Sequence, residues 1–442
     1  MNEIPEVPVV SRRQLLKMLG ITGAAGAAGV LGACSVDATA RAAKSAKSTD
    51  RPKSVSRLVS SSVASGAKTA HADRSLVVIE FEGGNDGFAT LIPYGDNRFR
   101  KLRDRIWVDP KNLSLLDERY ALPKGLEPLK NRLAFVEGVG VAHPDLSHFA
   151  MAQRWWAADP EGTQIPSTGF LGRCCDAVHR GEAVGGVSVG GGSAPIMVAE
   201  KASTVSLPQL DMVRDVSKTE PSEIRLRSSL ATLTDADAAH SSTGAGDAAD
   251  RYAALARGGI GSGLELLGTL TKLGGRPKRY PDTELGKSLA LVRQLISLNV
   301  GMRVFHVPFG GFDTHTNQNG THDDLMNQFG LAVGAFLGDL DDAGLSNRVL
   351  VATVSEFGRR AESNAGGTDH GTASTVMLAG PVQVGRHGTA PDLGQLDQAG
   401  NVKATVSMTD YYATLVQDWL GIPAGEVLPK GSTPIAGLLK TG

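Results

Sequence analysis

Arg348-Val-Leu-Val-Ala-Thr-Val-Ser-Glu356 reads as a strand that ends in chemistry, and Gly366-Gly-Thr-Asp-His370-Gly371 follows it after a short connection. A near-continuous β-branched run is what a parallel strand buried on both faces requires. In open α/β sheets, functional groups gather beyond strand carboxyl ends. Glu356 therefore occupies the position of a catalytic or metal-binding carboxylate. The glycine-flanked Asp369-His370 pair lies on a loop with the freedom to fold back toward it. A carboxylate and an imidazole so placed predict a metal site.

Outward from this stretch, Ser75–Phe81, Leu133–Val139, Met302–Phe309 and Thr375–Ala379 read as further strands. Helical periodicity fills Leu285–Leu298, Asp324–Ala343 and Thr409–Leu420. Strands alternating with helices predict an α/β fold, a mainly parallel sheet sandwiched by helices. Four strand ends deliver polar residues: Asp86; His143, Ser147 and His148; Asp313 and His315; then Glu356, Asp369 and His370. A single strand-end Asp is ordinarily a cap or turn residue. Four such ends together point to a divalent ion, with Zn, Mn, Mg and Ca all compatible with mixed oxygen and nitrogen donors.

The amino-terminal segment reads as an address. Ser11-Arg12-Arg13-Gln14-Leu15-Leu16-Lys17 resembles a twin-arginine export signal, which implies the twin-arginine export machinery as a partner. The Gly/Ala-rich run Met18–Ala33 that follows is too short and too rich in glycine to predict a transmembrane helix. Leu31-Gly-Ala-Cys34 resembles a lipobox, in which Cys34 would carry a lipid and tether the chain to a membrane surface; cleavage after Ala72 is the alternative. Residues 1–34 are thus read as the signal, and the Ser/Ala/Lys-rich residues 35–74 as a flexible spacer with too few apolar groups to fold. The protein is expected to be exported to the periplasm or cell envelope.

Residues 75–442 suffice for one large domain, with residues 213–261 read as a helical insertion or a plain surface excursion. The net charge of −1 and the absence of a basic stripe give no footprint for nucleic acid. Of the 3 cysteines, Cys174 and Cys175 are adjacent, about 3.8 Å apart at Cα and too close for an unstrained disulfide. Trp155 and Trp156, on a helical run, are expected to be packing residues.

Gly83-Gly-Asn-Asp-Gly87, Leu91-Ile-Pro-Tyr-Gly-Asp96, Ser147-His-Phe149, Phe312-Asp-Thr-His315, Ser355-Glu-Phe-Gly-Arg-Arg360 and Gly367-Thr-Asp-His-Gly371 occur in an order that resembles the domain-of-unknown-function 1501 family. The resemblance spans roughly Ser75 to Gly421, and it implies an alkaline phosphatase-like fold with metals at strand carboxyl ends. It places Asp86, Asp313, His315, Glu356 and His370 as metal ligands, with His322 in reserve. Ser147 takes the place of the nucleophile, at a helix start whose N–H groups suit an anion. His148 takes that of a general acid. Arg359 and Arg360 are either a clamp for substrate oxygens or partners of nearby acids. Phe357 stands where a histidine usually follows, which removes one imidazole from a second metal site. The implied activity is a metal-dependent hydrolase of phosphate or sulfate esters. Two alternatives share the sequence features: a metal-binding envelope protein without turnover, and a surface protein in adhesion or polymer handling.

Overall fold

The computed structural model of the protein describes residues 71, 73–163, 167–180, 184–191, 194–208, 275–299 and 301–440. The export signal, Cys34, most of the spacer and the insertion at 213–261 lie outside them. The end of the spacer is already part of the fold, since Arg74 lies over the ring of Trp419 at 4.7 Å.

The strands in chain order are β1 (Ser75–Glu82), β2 (Leu113–Leu115), β3 (Ala121–Pro123), β4 (Leu133–Gly140), β5 (Gly186–Val189), β6 (Thr204–Leu207), β7 (Val304–Gly310), β8 (Val349–Ser355), β9 (Arg359–Ser363), β10 (Thr368–His370), β11 (Ala373–Ala379), β12 (Gly385–Gly388) and β13 (Val406–Ser407). Nine of them form one sheet in the order β12-β4-β11-β8-β1-β7-β5-β6, with β13 beside the last two residues of β4. Pairs β2–β3 and β9–β10 are small separate ladders.

The sheet is mixed. Strand β11 runs antiparallel to both β4 and β8, and every other pair in the sheet is parallel. This refines the expected parallel sheet and has a consequence for chemistry. The carboxyl ends of β1, β4, β7 and β8 lie at one edge, and β11 begins there, immediately after His370.

Side chains of β1 alternate between the two faces. Val77, Ile79 and Phe81 join one core with the helices Glu284–Leu298 and Gln318–Asp342. Leu76 and Val78 join the other, with His148–Ala157, Phe170–Val178 and Met408–Ala413. Phe81 stacks on Phe312 at 4.4 Å and meets Phe329 edge-on at 5.4 Å. Each such buried ring contributes about 1.5–3 kcal/mol relative to exposure, so the loop after β7 is anchored at Phe312, one residue before Asp313.

Candidate metal centre

Packing brings the strand ends together through glycine. Gly83 (φ +111°) lies so close to the next loop that a Cβ would stand 2.5 Å from the amide nitrogen of Asp313. At Gly84 (φ +82°) a Cβ would stand 2.1 Å from the ring of Phe357. Only glycine fits at either position. The β1, β7 and β8 loops can therefore nest, and the helix His148–Ala157 adds its first residue to the same edge.

His148, Asp313 and His370 converge there, with one ligand atom from each within 4.8 Å of the others. The tautomers follow from the partners. His370 Nδ1 donates to the carbonyl of Leu146 at 2.7 Å, and His148 Nδ1 donates to Glu356 Oε1 at 2.8 Å. His315 Nδ1 lies 3.4 Å from Asp369 Oδ1. Each Nε2 therefore turns inward: that of His148 is 3.5 Å from Asp313 Oδ2, that of His370 3.4 Å and that of His315 3.0 Å from Oδ1. The Nε2 atoms of His315 and His370 are only 3.0 Å apart. Two imidazole nitrogens and a carboxylate this close require a proton or a metal cation among them. Two nitrogen donors and a carboxylate oxygen, each held by a second partner, fit a divalent ion such as Zn or Mn.

The electrostatics agree with a ligand role. Burial pushes the carboxyl pKa of Asp313 up, but the hydrogen bond and charge of Arg359 outweigh it and hold the group below its usual range. Burial holds His370 below its ordinary pKa, which favours the neutral imidazole that a metal needs. Phe357 is buried beneath the cluster, its ring 4.6 Å from His370 and 5.0 Å from His148. Glu356, beside Phe357 in the sequence, instead orients the imidazole of His148.

Several expected site residues stand apart. Asp86 is 0% exposed and does not join the cluster. Its Oδ2 accepts from Arg103 Nη1 and Gln318 Nε2, both at 2.5 Å, and its Oδ1 accepts from Arg103 Nη2 at 3.2 Å and from the amide of Phe88 at 3.0 Å. These four contacts occupy both oxygens of Asp86, which lies in a buried ion pair with Arg103 and apart from the His148–Asp313–His370 group. Arg359 is also 0% exposed. It donates to the carbonyls of Gly83, Gly84, Phe312 and Thr368 and to Asp313, so it ties loops together and does not present itself to a substrate. His148, expected as a general acid, has its ring inside the group of side chains that could hold a metal. His322 lies buried beside Asn85, with Nε2 3.1 Å from Oδ1, away from the cluster.

Ser147 is exposed at the N-cap of its helix, its amide donating to Asp145 Oδ1 at 2.8 Å. It lies between Leu146, whose carbonyl orients His370, and His148. Arg360 Nη1 approaches Asp369 Oδ2 only to 3.8 Å, on the His315 side of the cluster. Sequence reading missed Arg103 and Gln318. Arg103 lies in the basic run Arg98–Arg105, which looks like an ordinary solvated face, so nothing in the pattern pointed to it.

The family model described as "Protein of unknown function (DUF1501)" matches residues 138–427. No curated protein matches the sequence. Among solved structures, the chain is similar to the lipoteichoic acid synthase LtaP of Listeria monocytogenes (9% identity, 83% of this chain and 75% of that one, TM-score 0.35). It is similar also to the C-terminal periplasmic domain of Escherichia coli EptC in complex with Zn (11%, 81% and 87%, 0.36). A third is the phosphonate monoester hydrolase of Silicibacter pomeroyi (9%, 79% and 73%, 0.34). Likeness of this order assigns no chemistry. The family match covers well over half of the chain, and its span includes His148, Asp313, Glu356 and His370: the protein belongs to the DUF1501 family.

Proposed function

We propose that the protein is an exported, metal-dependent hydrolase of phosphate or sulfate esters that uses Ser147 as its nucleophile. One observation carries the reading: an exposed serine at a helix N-terminus, immediately before His148 of a convergent His148–Asp313–His370 donor set. A divalent ion held there supplies Lewis-acid polarisation and lowers the pKa of a nearby hydroxyl. The chain's own residues do the rest. The first N–H groups of the helix His148–Ala157 face anionic oxygens. Ser147 Oγ attacks the phosphorus or sulfur as its proton passes to the departing alcohol, whose bond to the phosphorus or sulfur breaks. Water then attacks the serine ester, its proton returns to Oγ, and phosphate or sulfate leaves. Glu356, Asp369 and the Leu146 carbonyl hold the three imidazoles in place. Because Arg359 is enclosed, Arg360 takes the role of the cation facing substrate oxygens. His315, with Nε2 3.0 Å from Asp313 Oδ1, adds a further candidate ligand beside the donor set.

The withdrawal of Asp86 into its pair with Arg103 favours a second reading, a one-ion envelope protein that binds metal without turnover. Metal analysis by mass spectrometry, joined to assays with p-nitrophenyl phosphate and p-nitrophenyl sulfate, separates the two. Stoichiometric metal with Ser147-dependent release of nitrophenol supports the hydrolase. Metal without release supports the second reading, and a protein that takes up none of Zn, Mn, Mg or Ca sinks both. Export and anchoring belong to the same proposal. Arg12→Lys with Arg13→Lys should retain the chain in the cytoplasm, and Cys34→Ala should release it from membranes.

A further inference from the structure

The helix that opens at Ser147 carries a second feature, on a different face from the metal cluster. Phe149, in its first turn, is 89% exposed, an unusual state for a ring in a folded protein. Gln153 and Trp156 follow at positions i+4 and i+7, on the same face. With Ser167, Thr168 and Pro195 they line an open groove of about 380 Å³, within the size range of small-molecule sites. The far wall is held in shape by the amide of Gly169, which donates to the carbonyl of Val198 at 2.8 Å.

Trp156 is fixed from below. Its Nε1 donates to Glu80 Oε1 at 2.6 Å. The other oxygen of Glu80 lies 2.8 Å from His306 Nε2, and His306 Nδ1 lies 2.9 Å from Ser188 Oγ. Glu80, His306 and Ser188 are all buried, on the neighbouring strands β1, β7 and β5. A carboxylate in the middle of an otherwise apolar strand costs stability unless it is fully partnered. Here the partners form a line that ends on the indole N–H, which locks the orientation of the Trp156 ring.

We infer that this groove is a saccharide subsite, binding a neutral pyranose ring of the alcohol portion of the substrate; the link to the ester rests on the hydrolase reading above. The chemistry of the wall selects this class. Among the described residues, none lining the groove carries a charge, so none of them recognises a second anion. A preoriented indole and an exposed phenyl ring suit the apolar C–H faces of a sugar ring, while Gln153, Ser167 and Thr168 supply amide and hydroxyl partners for its hydroxyl groups. Phe149 and Ser147 both belong to the start of the same helix, so the groove opens near the end of the helix that carries the proposed nucleophile.

The test is a titration with neutral trisaccharides of glucose, N-acetylglucosamine, mannose and galactose, followed by calorimetry and tryptophan emission. Wild type should bind at least one, with a change in emission. Affinity should fall about tenfold or more in Phe149→Ala, the loss expected when an aromatic anchor is truncated. Phe149 is exposed, so this variant keeps the fold even if Trp156→Ala, which strands Glu80, does not. Asp313→Ala should bind the sugar as wild type does. Failure of every trisaccharide to bind wild type overturns the inference, as does unchanged affinity in Phe149→Ala. Binding to phosphatidylglycerol vesicles through Phe149, with no saccharide binding, would assign the ring to a membrane surface and overturn it too. Saccharide binding without ester turnover would leave the subsite standing and remove the hydrolase reading; turnover without saccharide binding would do the reverse.

Discussion

At the scale of the residue, the centre is a problem of lone pairs. Three imidazoles have Nδ1 turned to Leu146, Glu356 and Asp369, and their Nε2 atoms face one carboxylate. Asp313→Ala and His370→Ala should therefore each lower bound metal severalfold, measured by mass spectrometry against wild type, because each removes a ligand and loosens its neighbours. Ser147→Ala should keep the metal and lose turnover with p-nitrophenyl esters; turnover that persists would remove Ser147 from the chemistry. Asp86 gives the contrasting case. Asp86→Ala leaves Arg103 buried without its counter-charge, so stability in urea unfolding should fall by about 3–5 kcal/mol, while metal content per folded molecule stays as in wild type. Loss of metal without loss of stability would return Asp86 to the ligand set. Most of the cluster was legible as polar residues after strands, because that placement has a pattern. The Asp86–Arg103 pair was not, because its partners are 17 residues apart on a short helix and loop with no period to betray them.

At the scale of the element, the nesting of loops decides the site. Strand runs such as Val349–Ser355 announce themselves by composition, and the structure places this one within a residue of its expected end. The helix Gln318–Asp342 begins six residues before its apolar pattern does, because its first turns, Gln318-Asn-Gly-Thr-His-Asp323, are polar. Two of those polar residues, Gln318 and His322, face inward to Asp86 and Asn85, so tertiary partners replaced the missing hydrophobic signal. The short strands β5, β6, β12 and β13 are four residues or fewer and carry too short a run to read. The glycine loop after β1 gives the sharpest test at this scale. Gly84→Ala combines positive φ with a collision against Phe357, costing about 1–3 kcal/mol for each effect. Thermal unfolding should shift down, and metal should be lost with it, because Phe357 lies beneath His148 and His370. An unchanged unfolding temperature would mean that the shelf is not packed as described.

At the scale of the whole molecule, a buried histidine makes the stability of the fold sensitive to acid. Burial pushes His322 down to about 4, with the nearby Asp86 only partly offsetting it. The folded pKa is below the unfolded value of about 6.5, so protonation favours the unfolded chain. The His322 contribution to stability is complete above pH 6.5 and declines as pH falls toward 4, by about 3 kcal/mol in total. His322→Gln keeps a donor toward Asn85 but does not titrate, so its urea midpoint should change less than wild type between pH 7 and 4.5. Equal changes in both proteins would assign the acid sensitivity elsewhere. The amino-acid sequence by itself determined the fold class, the strand ends and the edge at which chemistry gathers, since burial on both faces of a sheet and polar strand ends are local patterns. Tertiary structure alone decided which polar residues meet. It sent Asp86 to Arg103 and enclosed Arg359 in main-chain carbonyls. It brought His370 and His148 to the same carboxylate, that of Asp313. Partner choice among buried charges depends on distances across the chain, and no local period in a sequence encodes those.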